Sequence, residues 1–250
     1  VKTLIEEFRY PRRGPGMQYA SGMADARRPR IGITADVARD ANGRARHQVN
    51  GTYVDAVVAA GGIPVVLPAV DSLRAELIGS VDGVLMTGGD DIDVRPFGID
   101  LHPEARIMDP QRQAADFALL RALDAAPRVP VLGICLGMQL MGVHRGARLV
   151  QHLGDALPDA DRHRGDRVHA VTTAVGSGPV ASSHHQALAD GGALEVIGTS
   201  DDGVIEAVRD PQRPFFLGVQ WHPERTADPS MGVGIVRMLV EHASGGSLRA

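Results

Sequence analysis

The chain has 250 residues, a formal net charge of −4, 44% hydrophobic residues and a single cysteine. This length and composition are those of one well-cored globular domain. No apolar run reaches the roughly eighteen residues of a membrane-spanning helix, so no membrane partner is predicted. One cysteine excludes an internal disulfide and any site with several cysteine ligands, and it suits a reducing compartment, so a cytoplasmic location is expected.

Basic residues outnumber acidic ones within residues 1–30, so the remainder of the chain is more acidic than the whole. An acidic body is not typical of a nucleic-acid surface, and no nucleic-acid partner is predicted. Residues 1–29 contain prolines and glycines without an apolar period and are predicted to form a flexible tail. An organellar presequence is the alternative, although Glu6, Glu7 and Asp25 argue against one. The domain is expected over residues 30–244, followed by a loose C-terminus over 245–250.

Strands and helices alternate along the first half of the domain, which predicts a mostly parallel sheet covered on both faces, a three-layer α/β sandwich. Ligands of such sheets bind at the carboxyl ends of the strands. The second half carries short strands at hairpin-like spacing, which predict a small antiparallel annex. The predicted strands are 31–34, 63–68, 83–87 and 129–134, then 168–173, 194–199, 203–208 and 215–219 in the annex; the predicted helices are 50–60, 71 or 72 to 78, 111–125, one after Cys135, and 231–242.

Cys135 stands at the sharpest predicted bend, where a buried strand runs directly into a helix between Gly133 and Gly137. Glycines let the backbone bend there without Cβ clashes, and the side chain at the apex projects out of the sheet. The amide groups at the start of a helix favour a thiolate, the nucleophilic form of cysteine. The alternative is that Cys135 is a small buried apolar residue.

A cysteine nucleophile needs a base and a group that orients this base. His222 follows the predicted strand 215–219, and Pro223 prevents the strand from continuing. Glu224 could then reach the far ring nitrogen of His222 and fix its tautomer. The alternative for His222 is an ordinary strand-end residue.

Two further groups of polar residues have open interpretations. Asp90, Asp91 and Asp93 could bind a hard metal ion, but without a second carboxylate cluster they are interpreted as loop and capping residues. His184 and His185 would point to opposite sides of an extended segment, so at most one would face a given pocket.

The motifs around Cys135 and His222, Gly133-Ile-Cys-Leu-Gly-Met-Gln139 and Gln220-Trp-His-Pro-Glu224, resemble the class I glutamine amidotransferase superfamily. Four further segments resemble its γ-glutamyl-γ-aminobutyrate hydrolase branch, the peptidase C26-like group. These segments are Ala60–Pro68, Thr87–Asp93, Leu149–Leu153 and Ser183–Gln186. The resemblance runs from about Arg30 to His242 and implies a flavodoxin-like sandwich.

The resemblance implies that Cys135 is the nucleophile, His222 its base and Glu224 the orienting residue. It also implies that the backbone amides of Gly89 and Leu136 form the oxyanion hole. That branch usually has an arginine in place of Leu136, so specificity on the leaving-group side of the pocket is expected to differ. The residues expected near the γ-glutamyl group are Gln139, His184, His185 and Gln186.

The expected function is hydrolysis of a γ-glutamyl amide, such as γ-glutamyl-γ-aminobutyrate, through a cysteine thioester. The expected partner is a small-molecule substrate; no metal or organic cofactor is expected for the reaction, and a homodimer is an open arrangement. One alternative is a glutaminase subunit that delivers ammonia to a separate synthase. The other is a non-catalytic binding module of the same fold.

Overall fold

The computed structural model of the protein describes residues 27–245. Residues 1–26 of the expected tail and residues 246–250 of the expected loose C-terminus lie outside the described residues. Two described residues of the expected tail contact the domain. Arg27 donates to the Asp82 carboxylate at 2.7 Å, and Arg28 donates to the Gly61 carbonyl at 2.9 Å. Within residues 27–245, no helix has both the length and the hydrophobicity to cross a bilayer.

The secondary structure alternates as the sequence predicts in the first half of the domain and becomes strand-rich in the second half. The strands are β1 (Arg30–Thr34), β2 (Asp36–Arg39), β3 (Ala45–Gln48), β4 (Ile63–Leu67), β5 (Gly83–Met86), β6 (Val131–Ile134), β7 (Leu149–Val150), β8 (Arg167–Thr173), β9 (Gly176–Ser182), β10 (Ala187–Leu188), β11 (Glu195–Ser200), β12 (Ile205–Arg209) and β13 (Phe216–Val219). The helices are α1 (Gly51–Ala59), α2 (Arg74–Gly79), α3 (Pro110–Asp124), α4 (Leu136–His144) and α5 (Val233–Gly245).

The main sheet has nine strands in the order β4-β1-β5-β6-β13-β12-β11-β8-β9. The five strands from β4 to β13 are parallel, and the four from β12 to β9 are antiparallel. Helices α1 and α5 cover one face and α3 and α4 the other, each over its own apolar cluster. The predicted three-layer α/β fold with a mostly parallel sheet core and an antiparallel annex is confirmed.

One strand that the sequence analysis assigned to the annex borders both parts of the sheet. β13 pairs antiparallel with β12, as its hairpin-like spacing predicts, and also pairs in parallel with β6, so that Val219 lies beside Ile134 in the register. Its four residues are all buried, as is typical of a strand inside a sheet. This pairing brings the end of β13, and therefore His222, next to the end of β6, where Cys135 lies.

Side chains cap the starts of α1 and α3 but not that of α2. The Asn50 side chain accepts from the Thr52 amide at 3.2 Å at the start of α1, and Asp109 accepts from the Gln111 amide at 2.8 Å before α3. α2 begins at Arg74, later than predicted, because Asp71–Leu73 forms a 3-10 turn without a side-chain cap on the helix. The hairpin of β2 and β3 was not predicted, because β3 is fully exposed and polar and has no alternating pattern.

Candidate active site

Cys135 lies at a strained bend between β6 and α4, with φ 52° and ψ −106°. A non-glycine residue at such a φ costs about 1–3 kcal/mol, and such residues cluster at functional sites. The flanking glycines are required by close packing. An ideal Cβ on Gly133 would lie 2.8 Å from the Gly137 carbonyl carbon, and one on Gly137 would lie 2.4 Å from the Met86 carbonyl oxygen. Cys135 is thus held at the wall of a pocket at the carboxyl ends of the parallel strands.

His222 is oriented by Glu224, as the sequence predicts for a base and its orienting residue. The ring Nδ1 lies 2.8 Å from the Glu224 Oε1, because the turn at Pro223–Arg225 folds the carboxylate back onto the ring. The other ring nitrogen, Nε2, has no hydrogen-bond partner within residues 27–245. Burial lowers the pKa of His222, but the negative charges of Cys135 and Glu224 raise it by more, to about 9. The imidazolium form therefore persists at neutral pH.

Gly88 lies against both the Cys135 and the His222 side chains. An ideal Cβ on Gly88 would lie 3.0 Å from the His222 Cε1 and 3.6 Å from the Cys135 Cβ. A methyl group there would push against the histidine ring. Glycine at this position therefore lets Cys135, His222 and Glu224 line one pocket.

The Gly88 peptide groups are held from both sides by residues that the sequence analysis missed. The Gly88 amide donates to the Tyr53 hydroxyl at 3.0 Å, and the Gly88 carbonyl accepts from the Arg112 Nη2 at 2.8 Å. In a trans peptide the N–H of the next residue points opposite to the carbonyl, so this clamp turns the Gly89 amide away from Arg112. Among residues 27–245, neither the Gly89 nor the Leu136 amide donates a hydrogen bond. Two free donors thus border Cys135.

A buried amide relay supports Cys135 from behind. Gln220 Nε2 lies 3.5 Å from the cysteine sulfur, and Gln139 Nε2 donates to the Gln220 Oε1 at 3.1 Å. Gln139 also donates to the Gln186 carbonyl at 3.1 Å. Gln139 therefore lies in the layer behind the nucleophile and is absent from the pocket lining.

The structure places the other predicted substrate-binding residues in separate surroundings. The His184 Nδ1 lies 2.8 Å from the Gln186 carbonyl, and the His184 ring is buried. His185 Nε2 contacts the Asp91 carboxylate at 2.9 Å, and the Gln186 side chain donates to the Gln151 carbonyl at 3.1 Å. Their neighbour Ser183 is the residue of this segment that lines the pocket. A substrate role for His184, His185 and Gln186 stays a prediction.

The expectation that the Leu136 side chain shapes the leaving-group side of the pocket is wrong. Leu136 is 1% exposed and belongs to the apolar cluster under α4. Its Cδ2 lies 3.1 Å from the position of an ideal Cβ on Gly89, so the side chain packs into the core behind Gly89. The oxyanion role of its backbone amide stays a prediction.

The pocket has a volume of about 580 Å³, which is within the range of small-molecule sites. Its charged lining includes Asp36, Arg112 and Arg225, which the sequence analysis did not select, since each belongs to an unremarkable local pattern. Asp90 also lines the pocket, and burial raises its pKa with help from the Asp36 and Asp91 charges. The loop interpretation fits Asp91 and Asp93, which accept hydrogen bonds from the Arg106 and Arg95 amides. The missed lining residues with polar side chains are Asp36, Gln48, Asn50, Tyr53, Thr87, Arg112, Ser183 and Arg225.

Comparison with known proteins assigns the chain to a family. The Peptidase C26 family model matches residues 29–224. A candidate glutamine amidotransferase of Mycobacterium tuberculosis is 36% identical over 241 residues, which cover 88% of this chain and 76% of that protein. A gamma-glutamyl-gamma-aminobutyrate hydrolase of Escherichia coli is 29% identical over 212 residues, which cover 73% of this chain and 80% of that protein.

A solved structure supports the fold. The crystal structure of a candidate GMP synthase subunit from Thermoplasma acidophilum aligns with a TM-score of 0.61 and covers 88% of this chain and 96% of that chain. At 15% sequence identity this likeness shows the fold alone. The family match, in contrast, includes the bend at Cys135 and ends at Glu224, the last residue of the predicted triad. The chain belongs to the peptidase C26 family.

Proposed function

We propose that the protein is a hydrolase that cleaves γ-glutamyl amide bonds through a thioester on Cys135. The observation that carries this proposal is the pocket that Cys135, the His222–Glu224 pair and Gly89 line, together with the unpaired backbone amides of Gly89 and of Leu136, the residue next to Cys135. A nucleophile, an oriented acid–base group and two oxyanion donors are the parts that acyl transfer requires.

Each part has a defined task in the proposed reaction. The Cys135 thiolate attacks the γ-carbonyl carbon, and the electron pair of the carbonyl bond moves to the oxygen, which the Gly89 and Leu136 amides stabilise. The His222 imidazolium gives its proton to the nitrogen as the C–N bond breaks, and this leaves an acyl thioester and a free amine. Water then attacks the thioester while His222 takes its proton. Collapse of the second tetrahedral intermediate releases glutamate and restores the thiolate.

The charges of the pocket match the free end of a γ-glutamyl group. That end carries an α-ammonium and an α-carboxylate. The Asp36 and Asp90 carboxylates line the pocket together with the Arg225 guanidinium, so both signs of charge border it; Asp36 also pairs with Arg112, and Arg225 with Asp166. We infer that recognition of the glutamyl half is strict, because a site built to pair charged groups discriminates by about 10⁴-fold or more against analogues that lack them.

The test is a panel of γ-glutamyl amines, including γ-glutamyl-γ-aminobutyrate, with amine release as the readout. We expect turnover of the γ-glutamyl amines and none of the matched amides that lack the α-amino group. Addition of hydroxylamine should divert the thioester to γ-glutamyl hydroxamate, which identifies the covalent intermediate.

The same assay separates the two alternatives. A glutaminase subunit is favoured by the name of the Mycobacterium tuberculosis relative, and this alternative predicts that free glutamine is a far better substrate than every γ-glutamyl amine. The binding-module alternative predicts that Cys135 does not react with a glutamine-like electrophile at neutral pH. Either result would overturn the proposal.

A further inference from the structure

A second polar cluster lies in the antiparallel half of the domain, outside the lining of the pocket. This histidine–glutamate cluster consists of His163, His169, His184 and Glu206, and the four side chains are at most 2% exposed. One nitrogen of each ring and one glutamate oxygen lie within 4.8 Å of one another. The distances from the Glu206 Oε1 are 3.5 Å to His163 Nδ1, 3.6 Å to His169 Nε2 and 3.8 Å to His184 Nε2.

Each ring of the cluster is oriented by a hydrogen-bond acceptor on its outer nitrogen. An acceptor at that position fixes the tautomer, because it keeps the proton on the outer nitrogen and leaves a lone pair on the inner one. Three lone pairs and a carboxylate therefore converge on one point. The acceptors are the Asp202 Oδ2 for His163 at 2.9 Å, the Ala170 carbonyl for His169 at 3.2 Å and the Gln186 carbonyl for His184 at 2.8 Å.

The convergent atoms have no hydrogen-bond partner among residues 27–245. This holds for the three inner ring nitrogens and for both oxygens of Glu206. Buried polar atoms without partners are costly, and a buried carboxylate is especially so. A cation at their common point would satisfy all of them at once.

We propose that the histidine–glutamate cluster binds a zinc ion with four protein ligands. Zinc sites are tetrahedral with bonds of about 2.0–2.2 Å to nitrogen and oxygen, so neighbouring donors lie about 3.3–3.5 Å apart. The separations of 3.5–3.8 Å around Glu206 Oε1 reach that value after small side-chain rotations. Three imidazoles with one carboxylate are a donor set that zinc accepts, whereas calcium and magnesium prefer oxygen alone.

The ion has a structural role, because four protein ligands leave no position for a substrate or a reactive water. It joins segments that are distant in sequence: His169 lies in β8, Glu206 in β12, His163 at the end of the 3-10 turn Ala160–His163, and His184 in the loop after β9. The Gln220 backbone amide donates to the Glu206 backbone carbonyl at 2.8 Å, and the Gln220 side chain contacts the sulfur of Cys135. The ion therefore fixes a wall directly behind the catalytic pocket.

A group of more accessible histidines provides a matched control. His102, His152 and His185 lie in a row, with the first two rings stacked at 4.9 Å. They differ from the histidine–glutamate cluster, because the Nε2 atoms of His102 and His185 already pair with carboxylates. We expect no tight zinc site there.

The experiment is performed in a Cys135→Ala background, because a cysteine next to a histidine could itself bind zinc. The protein is stripped with a chelator, titrated with zinc chloride and desalted, and its zinc is measured by mass spectrometry. We expect a single retained ion per chain. Glu206→Gln and His169→Asn should weaken zinc binding by at least about tenfold, as loss of even an outer-shell partner does, whereas His102→Asn should bind as tightly as its parent.

A second measurement covers the case in which the cluster variants do not fold. Cobalt replaces zinc in the stripped Cys135→Ala protein, and a strong visible absorption band would report four-coordinate geometry without any change to the cluster. The proposal is overturned if the folded, stripped protein retains no zinc and gives no such band. Unchanged zinc binding in folded Glu206→Gln, or its loss in His102→Asn, would also overturn it. Enzymatic activity is not the readout, so the result is independent of the proposed hydrolase function.

Discussion

The candidate active-site pocket and the histidine–glutamate cluster orient their histidines in the same way, and they differ in one respect. In both, an acceptor fixes the outer ring nitrogen: Glu224 for His222, and a carboxylate or carbonyl for each cluster histidine. In both, the opposite nitrogen is unpaired within residues 27–245. His222 faces a pocket, whereas His163, His169 and His184 face one another and Glu206.

The two sites therefore differ more in whether a ligand can reach the histidine rings than in residue type. A fixed imidazole with an open side can exchange a proton with a substrate, and fixed imidazoles that close on one another can only hold something between them. Their places in the fold agree with this. The pocket lies at the carboxyl ends of the parallel strands, where such sheets bind ligands, and the cluster lies inside the antiparallel half.

The largest expected effect separates the two sites by activity alone. Cys135→Ala should lower kcat by at least about 10³-fold, since loss of a nucleophile that works as a unit with its base is usually this severe. The cluster is untouched, so the variant should keep its zinc content and its melting temperature within a few degrees. Steady-state kinetics and thermal unfolding check both parts. Substantial turnover by Cys135→Ala would remove the basis of the mechanism.

The two buried glutamates should show opposite phenotypes. Glu224→Gln should lower kcat by about 10²-fold or more, because the amide no longer favours the imidazolium or fixes its tautomer. Glu206→Gln should lower the free energy of unfolding by about 1–3 kcal/mol, as loss of a buried polar partner does, and should retain more activity per folded molecule than Glu224→Gln. Chemical denaturation and single-turnover kinetics on both variants test this. The reverse assignment of the two phenotypes would contradict the comparison.

A smaller loss of rate is expected from Arg112→Lys. Arg112 is a positioning residue: its Nη2 holds the Gly88 carbonyl at 2.8 Å while its Nη1 reaches Asp36 at 3.1 Å and its Nε reaches Asp116 at 3.3 Å, a spread over three nitrogens that a single ammonium group cannot reproduce. Loss of one oxyanion donor costs about 10²–10³-fold in kcat, and misalignment of one should cost about 10- to 100-fold. Tyr53→Phe, which removes the other half of the clamp, should act in the same direction. A change confined to KM would assign Arg112 to binding instead.

The smallest expected effect is a change in the titration of His222. Its raised pKa means that the imidazolium is retained at neutral pH and lost as the pH rises through about 9, so activity should fall along that limb. In Cys135→Ala the thiolate charge is absent, and the pKa of His222 should move down while Glu224 still holds it up. Nuclear magnetic resonance of the imidazole protons measures both values. An identical titration in the two proteins would mean that cysteine and histidine are not coupled.

The bend at Cys135 and the parallel sheet could be predicted, because the sequence patterns that indicate them are local. Gly133, Cys135 and Gly137 are close in sequence, and buried apolar runs mark the strands on either side. The clamp on Gly88 could not be predicted in this way, since Tyr53 and Arg112 lie in α1 and α3 and meet the glycine only after the layers pack. The histidine–glutamate cluster has the same origin, with its members spread from residue 163 to residue 206.

One error has a simple physical cause. Leu136 adjoins Cys135 in sequence yet packs into the core. Proximity in sequence is here a poor guide to spatial neighbours. Burial decides the outcome instead, because a leucine gains more from the interior than from a pocket.

The left-handed backbone at Cys135 also bears on how this fold can change over evolutionary time. Glycine adopts a φ of 52° without steric cost, so Cys135→Gly should relieve about 1 kcal/mol of backbone strain while it abolishes the reaction. Loss of catalysis by this route would carry a gain in stability. A lineage released from selection for the chemistry would therefore drift readily toward a stable protein that keeps the fold and the pocket.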